Sequence, residues 1–306
     1  MATTISHESH EISRKYSFVS FSVFNGLLRH LIKFVTKFCL KNQNLEYYKT
    51  MPELHQENKV FWVSAIHNIF LGLLDIMYPR HCFACDKSLH EEKNAYICEN
   101  CLEIVKKTDA KRCSKCGLKL GPGVTSSGKG CHECENTNLR FEKSLFVSDN
   151  TEPVRTLIHQ FKYKKQMCLA TPLGSLLINL LYQKNICEID FVVPVPLHWK
   201  KKQERGFNQS ELMAKKICNK LSIPISINNL HRVKNTMSQT QLSLLQRQKN
   251  VKNAFKVKNP EKFFQKNVLL VDDVLTTGMT ASECAKSLIN AGTNKVFLIA
   301  LARSKL

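Results

Sequence analysis

The sequence predicts an α/β chain in which a small four-cysteine zinc-ribbon domain precedes a doubly wound, mostly parallel sheet. Three observations predict it. Eight of the 13 cysteines fall in four Cys-x-x-Cys pairs between Cys82 and Cys134. From Glu142 onward, apolar strand-like runs alternate with helical stretches, the pattern of a parallel sheet with crossover helices. One of those runs, Val268-Leu269-Leu270-Val271, leads into an Asp-Asp pair and a turn rich in Thr. With 306 residues the chain has room for two domains. The expected divisions are an N-terminal extension over 1–59, a helix plus double zinc ribbon over 60–141, and the sheet domain over 142–306.

The start of the chain, Met1 to Glu11, is acidic and lacks the basic opening and cleavage site of a secretory signal. Phe18 to Leu40 is apolar but broken by Arg29, His30, Lys33 and Lys37, so it fails as a transmembrane span, which needs about 20 mainly apolar residues. It suits a membrane surface or a partner, a loosely ordered extension, or a stretch left out if translation starts at Met51. Val60 to Met77 carries Phe61, Ile66, Ile69, Phe70, Leu73 and Leu74 at helical steps and is read as a helix.

The cysteine pairs are Cys82/Cys85, Cys98/Cys101, Cys113/Cys116 and Cys131/Cys134. A Cys-x-x-Cys turn lets two thiolates converge on one zinc at about 2.3 Å, and two turns complete a tetrahedral site. Eight thiolates can hold one or two zinc ions, and two are expected. Sequential and interleaved pairings both satisfy the arithmetic; the sequential one is expected. Four-thiolate sites leave no open position, which excludes a catalytic zinc and makes the module structural or an interaction surface. Paired spacing of this kind also reads as metal ligation rather than a disulfide framework, so the expected setting is reducing and cytoplasmic, or peripheral to a membrane.

Past Glu142 the expected elements are a strand at Ser144–Ser148, helices at Glu152–Lys165 and Met167–Gln183, and a buried strand at Phe191–Val195. A helix at Phe207–Leu221 and strands near Ile223–Ile227 and at Asn267–Val271 follow. The helix Thr280–Ala291 and the strand Lys295–Leu301 close the chain. In such sheets ligands sit beyond the carboxyl ends of the strands. There, after Val271, stand Asp272 and Asp273, followed by Leu275-Thr276-Thr277-Gly278-Met279-Thr280. Adjacent carboxylates can accept from two ribose hydroxyls and help to hold magnesium. The Thr-Thr-Gly-Met-Thr loop offers hydroxyls and backbone N–H groups at a helix start, which favours a phosphate, and Gly278 permits the close approach.

This stretch resembles the phosphoribosyl-pyrophosphate motif of type I phosphoribosyltransferases. The resemblance implies the type I phosphoribosyltransferase fold, with Asp272 and Asp273 on the ribose and Thr276, Thr277, Gly278, Met279 and Thr280 on the 5-phosphate. It also implies magnesium as a companion of phosphoribosyl pyrophosphate. Further motifs are Phe161-Lys162-Tyr163, Pro194-Val195-Pro196-Leu197, Lys200 to Lys202, Arg205-Gly206-Phe207-Asn208-Gln209, a polar stretch from Arg232 to Gln241, and Arg247, Asn250 and Phe255. Together with the zinc ribbons these make the chain, from about Tyr78 to Leu306, similar to the ComF family of competence proteins. That resemblance implies natural transformation, single-stranded DNA as a partner, and other competence proteins beside it.

In this reading Arg205, Arg232 and Lys234 neutralise a departing pyrophosphate, with residues 232–241 as a lid. Pentosyl transfer to a nitrogen acceptor, hydrolysis of phosphoribosyl pyrophosphate, and a purely binding role are all open. A salvage enzyme of nucleotide metabolism is the other reading, weakened by the lack of a base-binding hood. Phe161 to Lys165 suits either base stacking with phosphate contact or an ordinary amphipathic helix. His198 and Trp199 are expected half-buried. The charge accords with a polyanionic ligand or a solvated basic face: residues 150–306 hold 25 Lys/Arg against 9 Asp/Glu, +16 of the net +20.

Overall fold

The computed structural model describes residues 80–89, 96–106, 111–121, 130–137, 139–186, 188–234 and 250–304. All belong to one compact unit, Leu74–Leu306. The extension 1–59, the helix expected at Val60–Met77, lid residues 235–241 and Arg247 lie outside the described residues.

Two short helices belong to the cysteine-rich segment: α1, Glu99–Lys106, and α2, His132–Thr137. Then come β1, Lys143–Asp149, α3, Val154–Tyr163, α4, Ala170–Gln183, and β2, Phe191–Pro194. Next are α5, Trp199–Arg205, α6, Gln209–Leu221, β3, Leu230–Arg232, and β4, Phe255–Val257. The chain ends with β5, Asn267–Leu275, α7, Met279–Asn290, and β6, Lys295–Arg303. Strand order is β1-β6-β5-β2, and every pairing is parallel. β3 and β4 form a separate antiparallel pair.

Alternation along the strands builds two cores. Leu269, Val271, Ile299 and Leu301 pack with α3, α4 and α6 on one face, in a cluster that includes Cys82, Cys98 and Cys101. Val268, Leu270, Leu298 and Ala300 pack with α7 and the β3–β4 pair on the other, with Cys113, Cys116, Cys131 and Cys134. Helices on both faces bury both sides of the sheet, which is why its strands are nearly continuously apolar. Each cysteine cluster thus shares one of the two cores.

Three expectations change. β5 runs four residues past Val271 because β6 is equally long and pairs with it as far as Leu275 against Arg303, so Asp272 and Asp273 lie within the paired strand. The strand expected near Ile223–Ile227 is a single parallel bridge of Ile225 to Val192, since Pro224 has no N–H to donate to a ladder. The charge run after Trp199 forms the short helix α5, which ends at left-handed Gly206 (φ 85°), whose N–H donates to Lys202 O at 2.8 Å.

The junction between α5 and α6 is held by Asn208. Its side chain accepts from Ser210 N at 3.1 Å and donates to Val195 O at 3.0 Å, tying the α6 start to the loop after β2. Asn208→Ala removes the cap and leaves a buried carbonyl short of a donor. It should lower stability by about 1–3 kcal/mol in urea denaturation.

Candidate functional site

The first four cysteines and the second four form separate clusters. In each, the Sγ atoms of Cys82, Cys85, Cys98 and Cys101, or of Cys113, Cys116, Cys131 and Cys134, lie within 4.8 Å of one another. The sequential pairing is the one observed. Sulfur pairs stand at 3.6 Å for Cys85–Cys98 and Cys116–Cys131, 3.7 Å for Cys113–Cys134 and 3.8 Å for Cys131–Cys134. A zinc tetrahedron with about 2.3 Å bonds has edges of roughly 3.8 Å, so both sets fit the ion.

Their ionisation points the same way. Burial opposes ionisation of Cys82, but backbone N–H groups of Cys98, Ala84 and Cys85 outweigh it and bring the thiol down to about 7. Cys113 is likewise brought to about 7 by the N–H groups of Cys116 and Lys115, against burial. Burial and the neighbouring thiolates then push Cys101 and Cys116 up, a conflict that a bound cation removes. Cys85 alone of the eight is exposed.

At the carboxyl ends of the strands is a cleft of about 460 Å³. Asp272 and Asp273 line it together with Thr276, Gly278 and Thr280, and Arg205 and Arg232 face them. The structure therefore brings the sequence-predicted acidic pair, loop and arginines to one place. Thr277 and Met279 are buried beside it, Thr277 Oγ1 accepting from Met279 N at 3.4 Å and so fixing the loop from within. Gly278 is left-handed (φ 81°), and a Cβ there would meet a Leu139 methyl at 3.1 Å, so the turn is built for glycine. Lys234 points elsewhere, its Nζ donating to Lys252 O at 2.9 Å.

The acidic pair is held in a strongly biased field. Asp272 Oδ1 accepts from Asp273 N at 2.9 Å and Ser210 Oγ at 3.3 Å. Asp273 Oδ1 lies 2.7 Å from Lys162 Nζ, both side chains mostly buried. Burial first, and the Asp273 charge second, raise the Asp272 carboxyl to about 7, while Lys162 pulls against them. On the opposite rim, burial together with Arg232 and Arg205 depresses the Lys201 ammonium. Arg155 and Arg205 donate to neutral oxygens, of Asn150 at 3.1 Å and Gln209 at 3.1 Å. A cation-rich wall opposite two carboxylates is suited to a ligand with hydroxyls at one end and multiple negative charge at the other.

Lys162 was not a predicted member of the acidic site. The signal is a lysine four residues after Ile158 on a helix face whose other members, Val154, Leu157, Ile158 and Phe161, are buried. One open alternative closes, in favour of an amphipathic helix at Phe161, and one expectation is corrected, at His198 and Trp199. Phe161 is fully buried against the Phe207 ring, 5.6 Å between centroids, so it has no surface for base stacking. His198 is buried rather than half-buried, because it caps α5 by accepting from Lys200 N, and Trp199 is 62% exposed with Lys200 Nζ 5.5 Å from its ring. Tyr163, also exposed, lies under the Arg205 guanidinium at 5.4 Å.

Fold and site together define a double zinc ribbon followed by a parallel, doubly wound sheet domain with an acidic pair and a loop at its carboxyl edge. Residues 73–135 match the family model of the double zinc ribbon domain. The chain is 31% identical over 230 residues to Competence protein F of Haemophilus influenzae, covering 73% of this chain and 96% of that one. It is 31% identical over 212 residues to the DNA utilization protein YhgH of Escherichia coli K12, covering 68% and 90%. This protein belongs to the ComF family. A looser likeness links it to a solved glutamine phosphoribosylpyrophosphate amidotransferase of Bacillus subtilis, at 21% identity and a TM-score of 0.30, over 43% of this chain and 26% of that one. Among the described residues no helix is long and apolar enough to cross a membrane.

The position of Asp272 yields a pH prediction. Its folded-state value of about 7 lies above the ordinary carboxylate value of about 3.9. Between those values the folded chain binds more protons than the unfolded one. This group's effect is therefore to lower stability as pH rises through that window, with its full cost present above about 7. Asp272→Asn removes the slope. Chemical denaturation from pH 5.5 to 8 should show the variant gaining on wild type as pH rises and levelling above about 7; a flat difference would mean that Asp272 ionises normally.

Proposed function

We propose that the cleft binds phosphoribosyl pyrophosphate with magnesium, and that the chain uses this site in handling incoming single-stranded DNA during natural transformation. The observation that carries the ligand is the convergence of Asp272, Asp273 and the 276–280 loop in one cleft with an arginine-rich rim. In this reading the two carboxylates accept from the ribose 2- and 3-hydroxyls. The loop's N–H and hydroxyl groups hold the 5-phosphate at the start of α7. Arg205, Arg232 and Lys201 surround the pyrophosphate, where they stabilise charge as it leaves the anomeric carbon.

Asp272 and Asp273 are also the carboxylates whose oxygens would help to hold a divalent cation, in competition with Lys162, whose ammonium stands 2.7 Å from Asp273; magnesium held there would supply further neutralisation of the pyrophosphate. The residues do not have to include a general acid or base, because positioning and charge stabilisation suffice for such a displacement. Pentosyl transfer is the enzymatic form of this reading. The relatives' own names, a competence protein and a DNA utilization protein, support the biological setting.

DNA contact has its own support. Trp199 is exposed beside Lys200, on a short helix that also carries Lys201, Lys202 and Arg205. An aromatic surface among cations suits single-stranded DNA, with stacking worth about 1–3 kcal/mol per base. Trp199→Ala should weaken binding to an oligothymidylate by roughly tenfold or more, and the wild-type affinity should fall steeply with salt. Fluorescence anisotropy across a salt series checks both, and a flat salt response would exclude phosphate contacts.

The ligand reading is tested by titration calorimetry of magnesium phosphoribosyl pyrophosphate into wild type and Asp272→Asn/Asp273→Asn. Loss of two charge-assisted hydrogen bonds predicts a drop on the order of 100-fold or more in affinity. Equal binding by both proteins, or none by either, sinks it.

A further inference from the structure

The second zinc site differs from the first in what it touches. Arg303, the last residue of β6 and only 4% exposed, donates from Nε to Cys116 O at 3.0 Å. From Nη1 the same guanidinium donates to Leu275 O at 3.3 Å and to Thr276 O, the carbonyls that open the loop before α7. One planar group thus joins the backbone of a zinc ligand to the backbone of the loop. Arginine is suited to this because its fork presents several donors at fixed angles and keeps its charge when buried.

The other half of the same site reaches the loop from the opposite direction. After Cys131 and Cys134 the chain passes to Leu139, whose methyl lies 3.1 Å from where a Gly278 Cβ would stand. Arg140 N then donates to Ser282 Oγ at 3.1 Å, in the first turn of α7. The Cys113–Cys116 turn is itself fixed to β1. Ser144 Oγ donates to Lys115 O at 2.6 Å, and Arg112 Nη1 pairs with Asp149 Oδ1 at 2.9 Å. The loop is therefore bracketed by two chain segments, and what ties those segments together is the four-thiolate set that fits zinc. The first set, Cys82 to Cys101, packs in the core on the opposite face of the sheet.

We propose that the second zinc centre is a strut for the 276–282 loop, with Arg303 as the positioning residue that transmits it. Zinc occupancy of that centre and phosphate binding at the loop are then linked, each favouring the other by the same factor. The first centre holds the fold without this linkage. The phosphate half of the linkage rests on the ligand reading above; the mechanical half does not.

Amide hydrogen exchange on the full chain tests the mechanical half, comparing a peptide over 275–283 with one over β2. Cys131→Ser and Arg303→Met should speed loop exchange by about tenfold or more relative to β2, since each releases a local opening of this kind. Cys98→Ser should leave the ratio at its wild-type value. Should Cys131→Ser fail to accumulate, Arg303→Met decides, and Arg303→Lys, which keeps the charge without the fork, should show the same faster loop with both zinc ions retained. An unchanged ratio in the Arg303 variants, or an equal rise in Cys98→Ser, overturns the proposal.

The ligand arm measures zinc release to a colorimetric chelator. Magnesium phosphoribosyl pyrophosphate should slow the loss of one zinc equivalent of the two in wild type, and of neither in Arg303→Met. Ligand that binds by calorimetry without slowing release overturns the linkage. Ligand that does not bind at all sinks the functional reading, and the exchange ratios still decide the strut.

Discussion

The parallel pairing of β5 with β6 is the constraint on which the rest of the molecule depends. It runs from Asn267 against Lys295 to Leu275 against Arg303. Its apolar half, with Leu269, Leu270, Leu298 and Ile299 wholly buried, is the centre of both cores. Its far end carries the chemistry: Asp272 and Asp273 on one strand, Arg303 on the other, and the loop into α7 immediately beyond. Burying charge costs free energy unless it is paired and hydrogen-bonded. The apolar half of the ladder is what allows a polar half to be held in place at its end.

That polar end is satisfied by elements distant in sequence. Lys162 from α3 pairs with Asp273, and Ser210 from α6 donates to Asp272. Leu139 and Arg140, just after the second cysteine cluster, reach Gly278 and Ser282. The cleft is thus assembled where helices from both faces and a zinc ribbon meet the ends of the strands. Its opposite wall holds Lys201, Arg205 and Arg232, where burial first and the two arginines second depress the Lys201 ammonium. An anion bound there relieves the mutual repulsion, so preorganised charge and ligand affinity have one origin.

Much of this was legible in the sequence because the signals are local. Two Cys-x-x-Cys turns per site give sulfurs at tetrahedral spacing by backbone geometry alone, and the apolar runs name the central strands. The Asp-Asp pair and the Thr-Thr-Gly-Met-Thr loop were readable because each residue type has a reason at its position. What was not legible is non-local. β3 and β4 pair across more than twenty residues of polar chain, and neither is long enough to show a period. Asp272 and Asp273 look like strand terminators, yet β6 carries the pairing past them. The burial of Phe161, the exposure of Trp199 and the burial of His198 were not legible either: the face of α3 is set by Phe207 from another element, and the burial of His198 by its capping bond to α5. Arg303 ends an apolar strand with no local mark of its partners in the ribbon and the loop.

In the proposed function the 276–280 loop holds a 5-phosphate while Asp272 and Asp273 hold the ribose. Phosphorus resonances of magnesium phosphoribosyl pyrophosphate, recorded with increasing protein, observe that phosphate directly. The 5-phosphate resonance should shift or broaden with wild type in a saturable way and recover its free position with Asp272→Asn/Asp273→Asn. A 5-phosphate resonance unmoved by wild-type protein would contradict this reading.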